Sequence, residues 1–232
     1  MPVVDFTSGD AFGLIGVYGY VGCIILISFL LRHKVSNPRK IVHILTGGIV
    51  FFWWSFDSQW VMAGLAALPF VPILLLFTPI SPFKRLRSGV LGEISSGGHE
   101  YGLVMYAVSW TIIAFFMFDD LFAASIAIAA MSFGDGMGEV IGRRFGKHEF
   151  MARRTVEGSL AVLAATFVAI IVIAVFYFDV IGYSGGSEPV LLLPFALGVG
   201  LLVTVIEAVT PGKIDNLVIP LAVGGFLHIM GV

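Results

Sequence analysis

Apolar residues run through this chain in long blocks broken by short polar joints. That is neither the alternation of a half-buried strand nor the one-sided stripe of a water-soluble helix. Eight blocks predict helices over about 11–31, 39–56, 59–80, 101–118, 120–142, 157–178, 190–209 and 216–231. Most approach the roughly 20 residues that cross a bilayer core. The second and the last are short, so tilt or partial embedding is expected. Gly13, Gly16, Gly19 and Gly22 mark the first block as a packing helix, and Pro69, Pro72 and Pro79 predict kinks in the third.

The polar joints separate by charge. Arg32, Lys34, Arg39 and Lys40 join the first two blocks, and Lys84, Arg85 and Arg87 join the third to the fourth. Arg143, Arg144, Lys147, Arg153 and Arg154 join the fifth to the sixth, and Lys213 joins the last two. These are all 13 Lys and Arg, and with eight crossings they fall on one side. Asp5, Asp10, Asp57, Asp119, Asp120, Asp179 and Glu188 fall on the other. The positive-inside rule then makes the basic side cytoplasmic and puts both termini outside. The expected fold is an all-α polytopic integral membrane protein, with about eight transmembrane helices in a single transmembrane domain over 1–232.

Composition agrees. The chain is 58% hydrophobic and 12% charged, where soluble domains carry about 25% charged residues. Its mean hydropathy is +1.01. One cysteine, Cys23, leaves no disulfide framework and no cysteine-based zinc site. The first block is preceded by Asp5 and Asp10 rather than a basic region, so no cleavable signal peptide is expected. No soluble domain, long linker or repeat is visible, and no nucleic-acid partner is expected.

The stretch 131–160, MSFGDGMGEVIGRRFGKHEFMARRTVEGSL, carries the chemistry. On a helix Asp135, Glu139 and Arg143 fall four apart and share a face. Gly134, Gly138 and Gly142 form a neighbouring stripe of the kind that lets membrane helices approach closely. A packing helix with a cytoplasmic basic loop would explain the Lys and Arg. It would not explain two carboxylates at the mouth of an apolar helix, which are costly unless paired or metal-bound. Thr155 is placed to cap the next helix, whose free N–H groups, with Arg153 and Arg154 just before them, make an anion site. The pattern fits a Mg²⁺-nucleotide site at a membrane surface.

Two other joints contribute candidates. In the first, Pro38 suits a helix start, and Arg39, His43 and Gly47 share a face beside Lys40. Arg39 and Lys40 would also serve as headgroup anchors, but His43 lies a turn inside the apolar run. In the last, Glu207 precedes Thr210-Pro211-Gly212-Lys213-Ile214-Asp215-Asn216; Pro-Gly ends one helix, and Asp215 or Asn216 can cap the next. The joint from Lys84 to Tyr101, with Glu93, His99 and Glu100, is either a gate or an ordinary loop.

Together these segments resemble the dolichol kinase and phytol kinase family. Arg39-Lys40-x-x-His43 with Gly47-Gly48 is similar to its N-terminal motif. Gly134-Asp135-Gly136, Gly142, Gly146-Lys147-His148 and Thr155-x-Glu157-Gly158-Ser159 are similar to its nucleotide segment. Glu207, Pro211-Gly212-x-x-Asp215-Asn216 and Pro220 are similar to its C-terminal motif, and Gly98 to Gly102 with Tyr106 to a weaker fourth. Arg154-Thr155 stands where the family usually has serine or lysine-serine, keeping charge and hydroxyl. The central motif also resembles CTP:phosphatidate cytidylyltransferases. Those tend to carry a further acid soon after the position of Asp215, where this chain continues Asn216-Leu217-Val218.

The resemblance implies a CTP-dependent kinase of a lipophilic isoprenoid alcohol of the dolichol, phytol or geranylgeraniol class. Asp135 would be the central acid. Arg143, Lys147, Arg153, Arg154, Thr155, Glu157, Ser159 and Asn216 would surround the nucleotide. Mg²⁺ would take Asp135, with Glu139 or Asp215 second. Asp215 or His43 would accept the alcohol proton. Arg39, Lys40, His99 and Glu207 are candidates for the substrate side. The alternatives are a cytidylyltransferase making a CDP-activated lipid, and a lipid or small-molecule transporter. Transporters place polar groups near the midplane, whereas here they crowd one face. The expected location is a prokaryotic plasma membrane, with the site on the cytoplasmic side.

Overall fold

A computed structural model describes residues 5–35, 38–89, 92, 100–151, 154–185 and 189–231. The chain is mostly helical, as the apolar blocks predict. In order the elements are α1 (Ser8–Leu31), α2 (Pro38–Thr46), α3 (Gln59–Leu75), α4 (Lys84–Arg87), α5 (Gly102–Phe116) and α6 (Leu121–Phe145). A two-stranded ribbon follows, β1 (Glu149–Met151) and β2 (Arg154–Thr155), then α7 (Val156–Val180), α8 (Leu192–Val209) and α9 (Asp215–Met230). Among the described residues, α1, α6, α7 and α8 are long and apolar enough to cross a membrane; α3, α5 and α9 are apolar but shorter.

The second apolar block differs from a plain helix. Its nine residues of α2 continue as nine residues of 3₁₀-helix, Gly47–Ser55. A 3₁₀ turn rises faster than an α turn, so the two pieces together reach about 30 Å. A block that looks short by residue count thus gains length.

The chain forms two compact units, Met1–Phe116 and Met117–Val232. In the first, α1 begins in a capping box. Thr7 accepts the N–H of Asp10 at 3.1 Å, and Asp10 accepts the N–H of Thr7 at 3.2 Å. Asp10 is fully buried, and its other oxygen accepts the N–H groups of Asp57 and Ser58 at 3.1 and 3.3 Å. It therefore ties the start of α1 to the turn before α3.

From there α1 runs antiparallel to α2 and its 3₁₀ extension. The Tyr20 hydroxyl donates to the Leu45 carbonyl at 2.8 Å, and the Ser28 hydroxyl to Pro38 at 3.1 Å. Gly13 and Gly16 lie where a Cβ would strike the Phe56 and Phe52 rings, but Gly19 and Gly22 face open space. The glycine stripe expected to pack along all of α1 does so only over its first half.

In the second unit, α7 packs against both α6 and α8, and α9 packs against α6 and α8. The Asp120 side chain caps α6 by accepting the Ala123 N–H at 3.1 Å. Burial pushes its carboxyl above the ordinary range, against the pull of that N–H and of His228. The ribbon is an addition to the all-helical expectation. It pairs Glu149 with Thr155 and Met151 with Arg154, with an irregularity between them. It forms because Gly146 leaves α6 in an extended conformation and the His148 carbonyl then takes the Val156 N–H at 2.9 Å.

Candidate functional site

The glycine stripe of α6 lies against the start of α7. A Cβ on Gly142 would sit 3.1 Å from the Thr155 hydroxyl and 3.4 Å from the Gly158 Cα; one on Gly138 would strike Val162. A Cβ on Gly158 would be just as tightly met, 3.1 Å from the Gly138 carbonyl oxygen. The two backbones approach as small residues allow. With Gly134 opposite Thr166, the contacts pair later α6 residues with earlier α7 residues, so the helices are antiparallel.

The same reading places the other two helices. Gly134 approaches Val203 of α8. Gly224 of α9 approaches Ala127 of α6, and His228 acts on Asp120. So α9 also runs antiparallel to α6. Asp215 lies nine residues before Gly224, about 13 Å along the helix; Asp135 lies eight residues past Ala127, about 12 Å in the same direction. The end of α6 therefore meets the start of α7, the end of α8 and the start of α9. Asp135, Glu139, Arg143, Lys147, Glu207 and Asp215 gather at that end, while Asp119, Asp120 and His228 lie at the other.

Asp135 is 2% exposed and closes a π-helical turn, Ala130–Asp135, inside α6. Such wide turns are frequent at functional sites. This π segment packs against α7, α8 and α9. Glu139 pairs with Arg143 at 2.9 Å, a contact the four-residue spacing predicts. At the start of α9, the Asp215 carboxylate accepts the Asn216 N–H at 2.7 Å, and the Asn216 side chain is buried.

Three residues read as nucleotide-binding are engaged by the protein itself. Thr155 caps α7 by accepting the Gly158 N–H at 3.1 Å. Glu157 reaches back over the loop. One oxygen accepts the N–H groups of Lys147 and His148 at 3.1 and 3.4 Å, and the other lies 2.7 Å from His148 Nδ1. Arg154 pairs with the Glu207 carboxylate and donates to the carbonyls of Glu207 and Thr210 at 3.1 and 3.3 Å. The Lys147 side chain stays exposed beside this network, and the Ser159 hydroxyl is buried with no hydrogen-bond partner among the described residues.

The first unit holds the N-terminal group. Arg39, Lys40 and His43 are 4%, 6% and 1% exposed. Anchors at the headgroups would project outward; these do not. His43 meets the edge of the Tyr106 ring, with centroids 5.5 Å apart. Arg153 and His99 lie outside the described residues, as do Glu93 and half of the joint that contains it.

These positions can be set against known proteins. No family model and no solved structure matches the chain. The phytol kinase of Synechocystis sp. is 31% identical over 214 residues, covering 87% of this chain and 84% of that protein. The chain belongs to the phytol kinase family. The probable chloroplastic phytol kinase of Triticum aestivum is 29% identical over 81% of this chain and 65% of its own. The chloroplastic farnesol kinase of Arabidopsis thaliana is 26% identical over 95% of this chain and 73% of its own.

Sequence reading missed three features of this phytol kinase family member. It did not see the wide turn at Asp135, because no residue type specifies one. It did not pair Arg154 with Glu207, 53 residues apart. It noted Tyr106 only in the weakest motif and did not set it beside His43.

Proposed function

We propose that this chain phosphorylates the hydroxyl of a long-chain isoprenoid alcohol of the phytol or farnesol class, with CTP as donor. The observation that carries the reading is the gathering of acids and bases from four helix ends at one end of an otherwise apolar unit. The kinship with phytol and farnesol kinases supports the choice of alcohol. The four apolar helices and the one-sided Lys and Arg support a multi-pass membrane protein that works at the cytoplasmic face.

Asp135 and Asp215 at one end of the unit fit Mg²⁺, which binds through one or two carboxylates plus substrate phosphates. Among the described residues no group of three His, Cys, Asp or Glu forms an all-protein cage. Asp135 would be the principal ligand, with Glu139 and Asp215 bordering it. Bound there, Mg²⁺ would offset the charge that spreads over the transferring phosphoryl group.

Lys147 holds the triphosphate on an exposed loop whose backbone Glu157 fixes. The alcohol oxygen bonds to the terminal phosphorus as the bond to the β-phosphate oxygen breaks. CDP leaves, and Asp215 takes the hydroxyl proton. The isoprenoid tail lies along apolar helix faces, so only its hydroxyl needs to reach the charged end.

The test is a panel of phytol, farnesol, geranylgeraniol and a polyprenol against all four nucleoside triphosphates, using protein purified in detergent. Product masses are read directly. One added phosphate on the lipid together with CDP is the expected result. Release of pyrophosphate, or no turnover without a sealed membrane, overturns it.

A further inference from the structure

We propose that Arg154 is a positioning residue, which sets where the Asp215 segment stands relative to the nucleotide loop, and that it does not bind phosphate. This inference rests on the function proposed above. Its guanidinium forks across Glu207, binding the carboxylate and the main-chain carbonyl, and reaches the Thr210 carbonyl as well. Glu207 is 3% exposed, so its charge needs a partner inside the protein, and Arg154 supplies one. Both carbonyls belong to the end of α8, where exposed acceptors and the negative end of the helix favour a cation.

Geometry connects the pair to the site. Arg154 is in β2, directly before the Thr155 cap of α7. Thr210 leads through Pro211 and Gly212 into α9, five residues before Asp215, with the Ile214 N–H returned to the Pro211 carbonyl at 3.0 Å. One side chain thus fastens the nucleotide-side turn to the turn that presents Asp215 and Asn216. The planar fork meets three acceptors at once, which a lysine ammonium in its place would not match. A guanidinium committed in this way has few donors left for phosphate, and Lys147 is an exposed cation on the loop just before it.

The experiment compares wild type with Arg154→Glu, Glu207→Arg and the double exchange, in detergent, with CTP and phytol as probes. Each single reversal should lower kcat by about tenfold or more, while the KM for CTP stays within about threefold. The double exchange should recover about tenfold over either single variant, since the charges again face each other. Arg154→Lys should fall between, keeping charge but losing the fork. A KM for CTP that rises about tenfold in Arg154→Lys, with no recovery in the double exchange, overturns the proposal and makes Arg154 a phosphate ligand.

If the exchange does not fold, the neutral pair Arg154→Gln and Glu207→Gln takes its place under the same criteria. If wild type transfers phosphate to no alcohol, the proposed function fails. The clamp is then read from melting temperatures of the four proteins. Additive losses overturn it, and coupled losses support it.

Discussion

The His43 ring stands edge-on to Tyr106, with ring centroids 5.5 Å apart and planes at 82°. Both side chains are buried, at 1% and 3% exposure, and they come from segments 63 residues apart in sequence. An edge-to-face pair of this kind contributes about 1 kcal/mol beyond its buried area. His43→Leu, Tyr106→Leu and the double variant should therefore show a coupling of about 1 kcal/mol in denaturant unfolding in micelles. Additive losses would deny the contact any energetic weight.

Asp135→Asn should leave the fold intact, because amide and carboxylate have nearly the same shape. Phosphoryl transfer should fall by about 10²-fold or more, the scale of losing one preorganised charge at the reacting group. Radiolabelled CTP and the melting temperature measure the two effects on one sample. A variant as active as wild type would remove Asp135 from the chemistry.

Gly138→Leu should cost about 1–3 kcal/mol by forcing α6 away from Val162 of α7. Gly19→Ala, where a Cβ meets nothing within 4 Å, should lose no stability and gain helix propensity of up to about 1 kcal/mol. Thermal unfolding of the two variants side by side checks whether close approach, rather than glycine as such, matters.

Glu157→Gln should loosen the loop before β1. The amide still accepts, but it loses the charge that strengthens its bonds to Lys147, His148 and the imidazole. Amide exchange at Lys147 and His148 should quicken by about tenfold while that in α7 is unchanged. Thr155→Ala should instead fray α7 itself, with a loss of about 1 kcal/mol.

Much of this molecule is written in local pattern. Long apolar blocks announce the helices because membrane-length runs have few other uses. The Gly134, Gly138 and Gly142 stripe forecasts a close helix contact, and the Glu139–Arg143 pair follows from spacing alone. Thr155 caps α7 as its type and place predict.

What stayed hidden is what depends on distant partners. Arg154 reads as a phosphate group until α8 brings Glu207 beside it. Asp10 reads as a solvent-facing acid until the turn at Asp57 folds over it. Gly19 and Gly22 share a stripe with Gly13 and Gly16, but their neighbours are decided by where another segment ends.

The wide turn at Ala130–Asp135 amounts to one surplus residue wound into α6. Wound as regular α-helix with every residue kept, this stretch would swing all later side chains by about 100° about the axis. Asp135 would then face away from its present neighbours without a single change of amino-acid type. A lineage that dropped one codon here would instead lose the bulge and keep the later faces of the helix where they stand.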